Sequence, residues 1–319
     1  MAVLLPRLQK ELRLPRWLLG GLLFLIALSV LPLSRWTRLS SIPYSPETTP
    51  RAWLSDHPHV NISLGSFEFV LTEPTSSLLV YSLGLVAIVV GLYFLRIRHG
   101  HQSRLWWGIA LLLWGIGALL GGTDYQALNY ELKCAGREVC SYISWVEIYY
   151  YLVSIASVNA MVMAVALSSA GRVMRRVLPV YAVTNAALYS ALCLTGAFIP
   201  NRFLVSFELL VLFAAPSFVI LFIISAARYY KLRENMDLAL MLTWLSLGAV
   251  MAAYYPYWAL DYTEELWDKG IWFSENDVLH VGLILWMLYI GFVVANKVRD
   301  LTVAPENGGT PARGAQTSS

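Results

Sequence analysis

Charge is what this chain lacks. Only 13% of its 319 residues are Asp, Glu, Lys or Arg, about half the 25% usual in a soluble domain. That shortfall excludes a single water-soluble globule. Intrinsic disorder is excluded too, because 58% of the residues are hydrophobic, 13% are aromatic and the formal net charge is only +3. The pI of about 8.7 reflects a small basic excess with no basic stripe, so nucleic acid is not an expected partner. No internal repeat is visible, and no GxSxG or HExxH motif points to a familiar hydrolase class.

What is present is apolar length. Mean hydropathy is +0.59. A helix that crosses a bilayer needs about 20 mostly apolar residues at about 1.5 Å each. Eight segments meet that test: 17–34, 75–95, 105–122, 142–170, 177–199, 203–227, 237–260 and 277–295. Helices are expected because an open strand in lipid leaves N–H and C=O groups unpaired. The expected fold is therefore all-α, a polytopic membrane bundle with one N-terminal anchor and a seven-helix core.

Most of the 23 basic residues fall on one side of these spans. They are Arg7, Lys10, Arg13 and Arg16 before the first span, then three short loops and the tail. The loops hold Arg96, Arg98 and Arg104; Arg172, Arg175 and Arg176; and Arg228, Lys231 and Arg233. The tail adds Lys297, Arg299 and Arg313. The positive-inside rule then predicts both termini in the cytoplasm. Residues 1–34 form the N-terminus and first span, 35–74 an extracytoplasmic segment, 75–300 the core, and 301–319 a disordered tail rich in Gly, Pro, Thr and Ser. The first span also reads as a signal peptide, but no clean small-x-small site follows it, so an uncleaved anchor is expected.

Cys134 and Cys140 share one extracytoplasmic loop, where a disulfide is expected in an oxidising compartment, two free thiols being the alternative. Cys193 reads as a small core residue. Asn61-Ile62-Ser63 is a glycosylation sequon on the same side.

Ionisable groups at membrane depth are costly, so each is a candidate for function. No lysine lies within a predicted span, which argues against a retinal Schiff base. The charged residues gather at the outer helix ends: Glu73 before Pro74, Asp124 after the third span, Glu147 early in the fourth, Glu208 in the sixth, Asp277 and His280 opening the eighth. Asp277 and His280 share a face at i,i+3, as Asn276 and His280 do at i,i+4. Glu147, Tyr151 and Ser154 form a second stripe, and Glu73, Ser77 and Tyr81 a third. All meet one leaflet, so a shared polar pocket near the outer face is expected. Taken singly, acidic residues at helix N-termini are also explained by the helix dipole.

Three fragments carry a resemblance. Thr72-Glu73-Pro74-Thr75-Ser76-Ser77 opens one helix, Gly121-Gly122-Thr123-Asp124-Tyr125-Gln126 closes the next, and Asn276-Asp277-Val278-Leu279-His280 opens the last. In kind and order they resemble the motifs of alkaline ceramidases and their bacterial relatives, within the CREST superfamily of membrane hydrolases. The resemblance implies a seven-helix core and zinc held by histidines. Here Gln126 and Asn276 stand where two of those histidines are expected, Gly122 stands where the family has Ser, and His280 alone remains.

Three functions follow, in order of preference. The first binds a membrane lipid or a membrane-protein partner, with Gln126, Asn276, Asp124, Tyr151 and Ser77 as anchors. The second hydrolyses a lipid amide or ester, with His280, Asp277, Glu73 and Glu147 as catalytic groups and zinc on His280 if a metal is bound. The third is transport, for which neither repeats nor a midplane charge pair is present.

Overall fold

The computed structural model describes residues 39–301. The expected first span, 17–34, and the tail from residue 302 lie outside the described residues. A short helix, α1 (Pro50–Ser55), precedes a two-stranded antiparallel hairpin, β1 (His59–Leu64) and β2 (Phe67–Thr72). Then come α2 (Pro74–Arg96), α3 (Gln102–Gly121), the short α4 (Asn129–Lys133), α5 (Trp145–Ser168), α6 (Met174–Phe198), α7 (Phe207–Leu232), α8 (Asn235–Ala259), the short α9 (Tyr262–Asp268) and α10 (Glu275–Tyr289). A widened π turn, Gly122–Ala127, prolongs α3; another, Ile290–Val294, prolongs α10.

Among the described residues, seven helices are long and apolar enough to cross a membrane: α2, α3 with its π turn, α5, α6, α7, α8 and α10 with its extension. The protein is a multi-pass helical membrane protein. Its apolar runs become helices because only internal N–H···O=C bonds satisfy the backbone in lipid. Consecutive helices alternate in direction, so α2, α5, α7 and α10 begin where α3, α6 and α8 end. That end carries the hairpin and is called the hairpin end below.

The seven helices match the expected later spans to within a few residues, with one consequential exception. The third span was expected to stop at residue 122. Instead α3 runs on through the π turn, carrying Asp124 and Gln126 into the bundle, where both are buried. The hairpin lies outside the all-helical expectation. Its register runs from His59↔Thr72 to Leu64↔Phe67, and Gly65 at φ 67° makes the turn. Glycine reaches that left-handed backbone without steric cost.

Packing centres on α3, which lies against both α2 and α5. Glycines let α2 and α3 approach closely. A Cβ at Gly115 would stand 2.7 Å from the carbonyl oxygen of Gly84, and one at Gly108 would stand 3.1 Å from that of Gly91. Such small-residue contacts replace the hydrophobic drive that lipid removes. Nearer the opposite end, Trp107 stacks on Phe94 and Trp244, with ring centroids 6.0 and 5.8 Å apart. The buried Trp286 donates its indole N–H to the Thr243 carbonyl at 2.8 Å, which satisfies its one polar atom.

At that opposite end the last described residues are stitched to the bundle. Both carboxylate oxygens of Asp300 accept backbone N–H groups from the first turn of α3, Gln102 and Ser103, each at 2.7 Å. Leu301 donates its N–H to the Leu167 carbonyl and accepts from Arg175.

Candidate functional site

Two polar groups occupy the hairpin end. The first is built around Lys133, the last residue of α4, which is 2% exposed. Its Nζ lies 2.6 Å from Asp124 Oδ2 and 2.8 Å from Glu147 Oε2. The π turn supplies Asp124, and the first turn of α5 supplies Glu147. The hydroxyls of Tyr125 and Tyr151 each donate to Glu147 Oε1 at 2.5 Å. Ser144 caps α5, accepting from Val146 N–H at 3.0 Å and donating to Asp124 Oδ1. The Cys134–Cys140 disulfide follows at once, and the Ser141 N–H donates to the Lys133 carbonyl at 2.8 Å.

Burial alone would lower the Lys133 ammonium, but the Glu147 and Asp124 carboxylates outweigh it and hold the group above its ordinary value. Every carboxylate oxygen of the trio has a partner. Buried ions persist only when paired and hydrogen-bonded in this way, so the trio reads as a clamp fastening the end of α3 to the start of α5.

The second group joins the starts of α2 and α10. Glu73 precedes α2 with its backbone in the left-handed region, φ 41°. Its N–H donates to the Pro58 carbonyl at 2.8 Å, and its own carbonyl accepts from Ser77 N–H at 2.8 Å. Its side chain makes no cap bond, and Oε2 is buried without a partner. Ser274 and Asp277 form a capping box on α10, with Ser274 N–H donating to Asp277 Oδ2 at 2.7 Å. Asp277 Oδ1 is left over. The Ser76 and Ser274 hydroxyls, 3.1 Å apart, link the two helices.

Burial, and then the neighbouring Glu275 carboxylate, push the Glu73 carboxyl up to about 8; Ser76 opposes this and Asp277 adds to it. A narrow cleft opens beside it, lined by Pro58, Glu73, Thr75, Ser76, Trp267 and Trp272. One turn beyond Asp277, His280 is 8% exposed and its Nδ1 has no partner.

Of the residues expected from the sequence, the structure brings Asp124, Glu147 and Tyr151 together in the first group, and Glu73 and Asp277 in the second. Thr72 is the hinge between them: its hydroxyl donates to the Gln126 carbonyl, and its own carbonyl accepts from Ser77 at 3.0 Å. The Gln126 side-chain Oε1 is buried without a partner. Asn276 lies in the first turn of α10 and is half-buried. Where one chamber was expected there are two groups, and among the described residues no side chain–side chain hydrogen bond joins them.

Sequence reasoning missed Lys133, Tyr125, Ser144, Trp267 and Trp272. Lys133 drew no attention as a cation of a connecting segment, and its position beside Cys134 was the available signal. The two tryptophans lie in a connection that carries no motif.

The zinc implied by the ceramidase resemblance does not fit. A catalytic zinc takes about three protein ligands plus water. Gln126 and Asn276 offer amides, and His280 is the one imidazole. Among the described residues no group of three or more His, Cys, Asp and Glu could hold a metal ion.

A family model described as a family of unknown function (DUF6962) matches residues 81–297. No curated protein and no solved structure matches the chain.

Proposed function

The chain belongs to the DUF6962 family, and we propose that it is a membrane receptor-like binder, taking a lipid or a membrane-protein partner at the hairpin end of its helix core. The observation that carries this reading is the second polar group. Glu73 Oε2, Asp277 Oδ1 and His280 Nδ1 are all buried there without partners, whereas native proteins pair more than about 90% of buried polar groups. Groups left open at a helix-end cleft are suited to an incoming ligand. The Lys133 clamp contributes differently: it has no free acceptor and holds α3 and α5 in place.

The hairpin end is read as extracytoplasmic. Arg96, Arg98, Arg172, Arg175, Arg176, Lys231 and Arg233 lie at the other end, in line with the positive-inside rule, and the Cys134–Cys140 disulfide suits an oxidising compartment. With the span 17–34 as an eighth, both termini are then cytoplasmic. The seven-helix order and the placing of Glu73-Pro74, Asp124 and His280 at helix ends support kinship with the ceramidase-like fold. They do not supply its chemistry. A hydrolase reading keeps one point in its favour, the i,i+3 pairing of Asp277 and His280 on α10.

Lipid analysis of protein purified in mild detergent tests the proposal. A defined lipid class should copurify at about one equivalent, and Glu73→Gln or His280→Ala should reduce it. Unselective bulk lipid, unchanged in both variants and with no copurifying protein, would defeat the binding reading. Release of fatty acid from a lipid amide, lost in His280→Ala, would favour the hydrolase instead.

A further inference from the structure

We propose that the cleft between the β2–α2 corner and the stretch leading into α10 binds an alkylammonium group, with Glu73 as its counter-ion and Trp267 and Trp272 as its walls. This rests on the binding role proposed above and names the chemistry of the ligand.

The charge balance comes first. Glu73, Glu275 and Asp277 lie close enough for the latter two to act on Glu73. Among the described residues the ion pairs of Lys133, Arg228, Lys269 and Arg299 all go to other carboxylates. Glu73, Glu275 and Asp277 are therefore neighbours with no cation paired to them among the described residues, which disfavours an anionic ligand. The buried oxygens come second. Glu73 Oε2 and Asp277 Oδ1 have no donor, and Asp277 is fully buried.

The walls come third. A hard metal ion wants about six to eight oxygen ligands, but this cleft presents indole rings beside its carboxyl group. Aromatic faces and a carboxylate are the chemistry that holds an ammonium, quaternary ammonium above all.

Glu73 Oε2 is buried without a partner beside this narrow cleft, and burial together with the neighbouring acids favours its protonated form. Trp272, 42% exposed in the non-helical stretch between α9 and α10, is the outer wall. The left-handed backbone of Glu73 (φ 41°) is a costly conformation for a side-chain-bearing residue, of the kind that gathers at ligand sites. Ammonium binding then trades one positive charge for another: the ligand enters and the Glu73 proton leaves to buffer.

The test is equilibrium binding of choline to the full-length protein, in lipid-free micelles and in phosphatidylcholine nanodiscs, against its neutral isostere 3,3-dimethylbutanol. Choline should bind at least about tenfold tighter than the isostere, with proton uptake by a weakly buffered solution near pH 7. Glu73→Gln and Trp272→Leu should each weaken binding about tenfold; the second alters an exposed wall, so a folding defect does not mask the outcome. Saturable binding in micelles assigns a free organic cation. Protection of Trp267 and Trp272 from oxidation only in phosphatidylcholine, and not in diacylglycerol-containing discs of anionic lipid, assigns a lipid headgroup. Either supports the proposal.

Equal affinity for choline and the isostere, or choline binding unaltered in both variants, overturns it. If lipids of every headgroup protect the tryptophans equally, the ammonium inference falls while the binding role stands. If nothing binds there at all, both fall.

Discussion

Replacing Lys133 by methionine isolates what the clamp contributes. Methionine keeps the length of the side chain and removes its charge. Asp124 Oδ2 and Glu147 Oε2, 2.6 and 2.8 Å from Nζ, then face each other with no counter-ion, and both residues are at least 97% buried. Breaking a buried pair by removing one partner costs about 3–5 kcal/mol, most of it the penalty of an uncompensated charge. Two carboxylates are stranded here, so the upper part of that range is expected. Adding Asp124→Asn and Glu147→Gln to Lys133→Met removes the stranded charges but keeps their shapes, and Tyr125 and Tyr151 still donate to the residue-147 carbonyl oxygen. The triple variant should therefore recover to within about 1–2 kcal/mol of the parent, because buried ionic networks are replaceable by neutral ones. Reversible unfolding in bicelles, read by steric trapping on the α3–α5 pair, measures each value. A single variant within about 1 kcal/mol of the parent, or a triple variant as unstable as the single one, would refute the clamp.

Three further outcomes follow. The Glu73 carboxyl titrates at about 8 when folded against 4.5 when unfolded, so between those values the folded state holds a proton that the unfolded state has lost. Stability should fall as pH rises through that window, by about 1.4 kcal/mol per unit from this group; Glu73→Gln should remove that slope, and a variant with the parent's slope would contradict it. Gly115→Ala sets a Cβ 2.7 Å from the Gly84 carbonyl oxygen and should cost about 1–3 kcal/mol by forcing α2 from α3; an unchanged unfolding midpoint would show that the contact yields. Single cysteines at Glu68 and Lys231, both exposed, should label from opposite faces of intact cells with an impermeant maleimide, Glu68 from outside; the reverse pattern would invert the proposed orientation.

The membrane helices were legible in the sequence because one property, apolar length, is both necessary and nearly sufficient for crossing a bilayer. Helix ends were less so. The π turn after Gly121 is a local widening of the backbone that hydropathy does not register, yet it decides that Asp124 is buried and not in a loop. The hairpin had a readable signature: Val60, Ile62 and Leu64 alternate with polar residues, and Gly65-Ser66 makes a two-residue turn. The segment is read above only as extracytoplasmic, and the alternation goes unused. The candidate site was half legible. Glu73, Asp124, Glu147, Asp277 and His280 stood out by charge in an uncharged chain, but how they divide depends on which partner reaches which acid. Lys133 settles that for Asp124 and Glu147, and a cation in a connecting segment is indistinguishable by sequence from one in water. The resemblance motifs cover the helix ends that carry Glu73, Asp124 and Asp277 but not the tryptophans of the cleft, which lie in a connection outside them.

Asp300 gives the chain a practical boundary. Because its carboxylate caps the first turn of α3 across 197 residues or more of sequence, the stretch that follows α10 is fastened to α3. A reporter protein joined after Leu301 leaves that fastening whole. A chain cut ahead of Asp300 bares two amide donors at the head of α3 and also loses the Leu301 contacts to α5 and α6, so any shortened form used for purification or display should retain both Asp300 and Leu301.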